Sequence, residues 1–100
     1  MDIAKLMQQA QQMQSQMEAT QEALAQRTVT GTAGGGVVTV EADGQGSVRK
    51  VTIDPSVVDP SDVAMLEDLV TVAVTDAQRR AAELQQSEMG KVTGGLQLPF

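Results

Sequence analysis

Apolar and small positions recur in the first quarter of the chain at spacings of three and four: Ile3, Leu6, Ala10, Met13, Met17, Thr20 and Leu24. This is an a/d heptad pattern held for about three repeats, and it predicts a helix over residues 2–26, roughly 37 Å long. Gln occupies much of the remaining surface (Gln8, Gln9, Gln11, Gln12, Gln14, Gln16), a good helix former that adds no charge. A disordered Gln tract would lack such a seam. The contact it offers is soft, because Ala10, Met13 and Met17 replace the Leu of a tight zipper.

The period then changes to two. From Thr28 to Ile53 the chain is rich in Val, Thr and Ile, side chains suited to a pleated, half-buried surface. Gly34-Gly35-Gly36 and Asp43-Gly44-Gln45-Gly46 interrupt it, each supplying the positive φ that a tight reversal needs. Three strands are expected, Thr28–Ala33, Gly36–Asp43 and Ser47–Ile53, as an antiparallel meander. Val38, Val40 and Ala42 alternate with Thr39 and Glu41, and Val51 and Ile53 alternate with Lys50 and Thr52, so one sheet face turns inward. Which of the neighbours Arg49 and Lys50 faces solvent stays open.

Asp54-Pro55 ends the third strand. Asp59 is expected to cap a helix whose first residue is Pro60, with Asp62 in its first turn. Val63, Leu66, Val70, Ala73, Ala77, Ala81 and Leu84 trace its seam, and Gly90 is its expected C-cap. The predicted architecture is a single α+β domain over residues 1–90: helix 2–26, strands within 28–53, helix 60–89, then a loose tail at 91–100. Two helices of this length exceed what three short strands can cover, so parts of them must project or pair with another subunit.

Composition sharpens that expectation. The only aromatic residue among 100 is Phe100, so the core must be built from small aliphatic side chains and is thin enough to call for a second copy, an obligate oligomer. Neither Cys nor His occurs, which removes thiol chemistry, the commonest general base and most transition-metal ligands. No enzyme activity, catalytic residue, metal or cofactor is expected, and no small-molecule substrate. The start of the chain is too polar for a signal peptide and no apolar run approaches the ~18 residues of a membrane span, so a cytoplasmic protein without membrane partners is expected.

The formal charge of -6 sets thirteen acids against seven bases. Five acids and no base lie between Asp59 and Asp76, while the bases sit elsewhere: Lys5, Arg27, Arg49, Lys50, Arg79, Arg80 and Lys91. The glycine motifs carry no ligand chemistry. Gly34-Gly35-Gly36 and Gly44-Gln45-Gly46 lead into strands where a phosphate-binding loop needs a helix. Gly90-Lys91 lacks the earlier glycine of such a loop, and Asp43-Gly44 lacks the other carboxylates of a calcium loop. Glu67 and Asp68 are adjacent on a helix and point apart.

The stretches MQQAQQMQSQMEATQEALAQ, VTGTAGGGVVTVEADGQGSVRKVTIDPSVVDPSDVAMLEDLVTVAVTDAQRRA and MGKVTGGLQLPF resemble the YbaB/EbfC family of small bacterial nucleoid-associated proteins, over nearly the whole chain. The resemblance implies a tight homodimer with projecting helices, located in the cytoplasm at the nucleoid. It also implies binding of double-stranded DNA with limited sequence preference, bending or bridging it and influencing gene expression. It carries DNA contact onto Lys50, Arg79, Arg80 and Lys91, where the family pattern is basic; Lys5 and Arg27 join them on charge alone. The acidic balance departs from what a DNA coater would show. The alternative is a non-catalytic scaffold that docks partner proteins on the Met- and Gln-rich first helix.

Overall fold

A computed structural model of the chain describes residues 2–94. Helix α1 (Ile3–Ala25) leads into an antiparallel sheet of β1 (Thr28–Ala33), β2 (Val38–Asp43) and β3 (Val48–Ile53), in that spatial order. A single 3-10 turn at Pro55–Val57 follows, then helix α2 (Val63–Gly94). The expected helix–meander–helix order is therefore what the chain adopts.

The sheet register follows from the alternation. Gly31 pairs with Val40 and Ala33 with Val38, while Val40 and Val38 pair across the other side with Val51 and Ile53. These residues share one face, and α2 lies on it. The opposite face is polar, with rungs Thr30–Glu41–Lys50 and Thr32–Thr39–Thr52. A bulge opposite Glu41 and Ala42 leaves Arg49 as the extra residue of β3.

Small residues decide how closely α2 sits on the sheet. Ala73, Ala77 and Ala81 are fully buried, and a Cβ added at Gly31 would run into the backbone of Ala73 and Ala77. Strand and helix backbones thus meet where neither carries bulk, and Ala33, Val38, Val40 and Ala42 fill the space around that contact. The largest fully buried side chains are Leu24, Val38 and Val40, so the core is as thin as an aromatic-free composition requires. Helix α2 covers β1 and β2 but little of β3, where Val48 and Val51 remain about 40% exposed on the inner face.

The turn at residues 43–47 ties the helices together. The Asp43 carboxylate is buried and accepts the N–H groups of Gln45 and Ser47 and the Arg49 guanidinium, the latter at 2.6 Å. Burial works to raise its pKa, but the Ser47 N–H, Arg49 and the Gln45 N–H outweigh it and the net shift is downward. From this turn the Gly44 N–H donates to the carbonyl of Leu24, Gln45 donates to the carbonyl of Gln21, and Gln85 donates to that of Gly44. Gly34, Gly35, Gly36 and Gly46 have positive φ, as the turns demand. Gly44 does not; it is required instead by close approach, since a Cβ there would lie 2.5 Å from the Leu24 carbonyl oxygen.

The helix α2 boundaries differ from the expected ones. Pro60 lies in a turn, with Asp59 accepting the Ser61 N–H and hydroxyl. The helix starts at Val63, where the Asp62 carboxylate accepts the Met65 N–H at 3.2 Å, so Asp62 and not Asp59 is the cap. Nor does Gly90 end it: the helix continues to Gly94, so residues 91–94 are not a loose tail. The end of α1 and this last stretch of α2 line one open groove, through Ala19 and Thr20 on one side and Glu88 and Val92 on the other. Residues 95–100 of the expected tail, Phe100 included, lie outside the described residues.

Helix α1 meets the remainder of the chain only near its C-terminal end. Leu24 is buried, Met13, Thr20 and Ala25 are half-buried, and the other seam positions are open, from Ile3 at 70% exposure to Met17 at 42%. The molecule is correspondingly long, 70 × 25 × 16 Å, with a radius of gyration of 19.5 Å against about 13 Å for a compact chain of this length.

Candidate nucleic-acid interface

Three of the six expected contact residues, Arg79, Arg80 and Lys91, lie on the C-terminal half of α2, and a fourth, Arg27, comes near it. Arg80 and Lys91 are eleven positions apart, three helical turns, and so share one face about 16 Å apart. Arg79 stands next to Arg80, and Arg27, just past the end of α1, reaches the same region through Glu88, which also bonds Lys91 at 3.1 Å. All four side chains are more than half exposed. Their charged ends can therefore reach a flat or convex polyanion without rearranging the backbone.

The other two stand apart. Lys50 lies on the polar sheet face, in register with Glu41 and two strand spacings, about 10 Å, from β1. Both it and Arg49 are exposed, and the bulge turns Arg49 toward Asp43. Lys5 lies near the start of α1, roughly 33 Å along the helix from Arg27.

The ridge is far less positive than its cation count. Asp76 accepts Arg79 at 2.7 Å through one oxygen, and Arg80 Nε at 3.2 Å and the Thr32 N–H at 3.1 Å through the other. Glu83 takes the second terminal nitrogen of Arg79 at 2.6 Å. Three acids (Asp76, Glu83, Glu88) thus interleave with four bases, a net charge of about +1 by count. Among the described residues only Lys5 and Lys50, of the seven bases, make no ion pair.

Asp76 is the member of this cluster that the charge pattern of the sequence did not reveal. The Thr32 N–H points off the free edge of β1, and the carboxylate satisfies it. That bond, with Arg79 and Arg80 added, pulls the Asp76 pKa down from 3.8 to about 2. Its i+3 and i+4 spacing to Arg79 and Arg80 was readable; its bond to a strand 44 residues earlier was not.

Other chemistries find no support in the geometry. Among the described residues no cluster of three or more acidic side chains could hold a metal ion, and no helix is long and apolar enough to cross a membrane. An exposed groove between α1 and α2 is lined by Ala10, Met13, Met17 and Met89 and rimmed by Gln14, Glu18, Gln21 and Glu22.

Comparison with known proteins agrees with the motifs. The model of the YbaB/EbfC DNA-binding family matches residues 1–96. A nucleoid-associated protein of Gemmatimonas aurantiaca is 48% identical over 100 residues, covering all of this chain and 96% of the relative. Another, from Chloroflexus aurantiacus, is 53% identical over 96 residues, 96% of each chain. The crystal structure of an uncharacterized Helicobacter pylori protein, HP0035, shares the fold with a TM-score of 0.83 at 22% identity, covering 94% of this chain and 99% of that one. With the family match spanning the whole fold and relatives near 50% identity along it, the chain belongs to the YbaB/EbfC DNA-binding family.

Proposed function

We propose that the chain is a nucleoid-associated protein that binds double-stranded DNA as a homodimer, through phosphate contacts from the α2 ridge, and bends or bridges the duplex. The family and the names of its relatives support the nucleoid DNA-binding role. The observation that carries the phosphate reading is the ridge itself: Arg79, Arg80 and Lys91 on the C-terminal half of α2, with Arg27 beside Glu88, all reach solvent. Among the described residues there is no aromatic ring to stack on a base. Such a surface neutralises backbone charge and reads little sequence. Lys50 and Lys5 are secondary contacts on this reading, each unpaired and exposed.

Homodimerisation follows from what one copy leaves bare. The inner face of β3 exposes Val48 and Val51, and α1 exposes a regular seam through Ile3, Leu6 and Met17. A second copy supplies matching surfaces by symmetry, and contiguous apolar area of this kind on a lone chain invites association. Two ridges held at a fixed separation give the bending or bridging.

A gel-shift titration against random duplex at two salt concentrations tests the DNA reading. Binding at low salt that weakens steeply with added salt is expected, and replacing Arg79 and Arg80 together by Ala should lower the affinity while leaving the dimer intact. Absence of any shift at low salt would overturn the reading in favour of the scaffold, for which the Met13–Met17 groove on α1 offers a docking surface. Sedimentation of the pure protein tests the dimer, and a monomer at high concentration would refute it.

A further inference from the structure

The two adjacent arginines of the ridge are not equivalent, and the difference assigns them different roles. Both terminal nitrogens of Arg79 are occupied, one by Asp76 and the other by Glu83. Arg80 bonds Asp76 through Nε alone, so its two terminal nitrogens have no carboxylate partner among the described residues. Asp76 is itself fixed from a third side by the Thr32 N–H of β1, which makes it a rigid support. Glu83 is different: its carboxylate is 61% exposed and Arg79 is its one ion-pair partner.

We propose that Glu83 masks Arg79 as an internal competitor for DNA phosphate, while Asp76 holds Arg80 with its forked end presented to the duplex. This rests on the phosphate-binding reading above. Glu83 and Asp76 together offset the Arg79 charge and take one N–H from each terminal nitrogen, so a phosphate oxygen that approaches Arg79 competes with the Glu83 carboxylate for its forked end. An exposed i,i+4 pair is weak enough to exchange readily, so the mask lowers affinity without abolishing it. Arg80 needs no exchange: an arginine held at Nε retains both terminal nitrogens for a bidentate contact with two phosphate oxygens. The ridge thereby holds its affinity below what its four cations would give, in a protein whose overall charge is already unfavourable to a polyanion.

The test is a set of DNA titrations over a range of salt on the full chain and the variants Glu83→Gln, Arg79→Ala, Arg80→Ala, Glu83→Gln with Arg79→Ala, and Asp68→Asn. Glu83→Gln should tighten binding about threefold to tenfold and steepen the log–log salt dependence by up to about one, because no carboxylate is left to recapture a cation. The gain should vanish when Arg79 is already Ala, the signature of a local pair. Arg80→Ala should cost more affinity than Arg79→Ala. Asp68→Asn makes the same change in net charge on the same helix without touching the ridge, and should do less than Glu83→Gln. An equal gain from Asp68→Asn, or a gain from Glu83→Gln that survives loss of Arg79, would overturn the masking role and leave the DNA reading standing. No binding by any variant at low salt would remove the DNA reading and this inference together.

Discussion

The base of the molecule and its arm are made from similar side chains and are held in opposite ways. In the base, α2 lies so close to β1 that Gly31 meets the backbone of Ala73 and Ala77, and the core closes around Val38, Val40 and Ala42. In the arm, α1 carries an equally regular seam that is open at Ile3, Leu6, Ala10 and Met17, and only Leu24 is buried. Periodicity therefore makes a helix in both places, whereas stability comes from what the helix can approach. The base is built from small side chains, yet six of them are buried together in one cluster. The arm depends on its own helix propensity, one anchored end and whatever second surface meets it.

That contrast is most easily broken at Gly31. A Val there has no space for Cβ against the α2 backbone, so Gly31→Val should cost about 3 kcal/mol or more and unfold the base, measured as the loss of a cooperative urea transition. Next in size is the anchor. Leu24→Ala removes the largest buried side chain of α1 and should cost roughly 2–4 kcal/mol. Hydrogen exchange should then rise throughout α1 while amides of β2 stay protected, because the bonds of the 43–47 turn to Leu24 are lost before the sheet is.

The arm responds differently. Leu6→Gln with Met17→Gln touches side chains 49% and 42% exposed, so in a dilute single copy the urea midpoint should move by less than about 0.5 kcal/mol equivalent. At high concentration the same pair should weaken self-association, seen as a lower sedimentation coefficient than that of the parent chain. A base destabilised as strongly by these changes as by Leu24→Ala would erase the distinction between arm and base.

Most of this fold is legible in the amino-acid sequence. The heptad seams, the switch to alternation at Thr28 and the two glycine turns mark all five main elements, because each depends on local chemistry. The shifted start and end of α2 show where locality fails. Asp59 is the cap that the sequence suggests, yet its carboxylate accepts from Ser61 and the Met65 N–H goes to Asp62. Gly90 reads as a stop signal, yet the helix runs on to Gly94. The same limit applies to the interface. The basic residues could be counted, and four of them do share one ridge. Their neutralisation could not be counted, because Glu88 binds Arg27 across two helices and Asp76 is fixed by a strand far back in the chain.

The smallest effect expected is also the one that probes the junction between ridge and sheet. Asp76 is bonded by the Thr32 N–H, Arg79 and Arg80, and these hold its pKa at about 2, below its ordinary 3.8. A carboxyl whose pKa is lower in the folded state stabilises the fold fully above its unfolded value. That contribution is lost as pH falls through the folded one, here between about pH 4 and about pH 2. Asp76→Asn retains an oxygen for the Thr32 N–H but no longer titrates. The urea midpoint of the parent chain should therefore fall across this window by more than that of the variant. Asp43, Asp54 and Asp59 are also lowered, but they are common to both proteins and cancel in the difference. Parallel curves would mean that the negative charge of Asp76, and with it the ion pairs to Arg79 and Arg80, lends nothing to the fold.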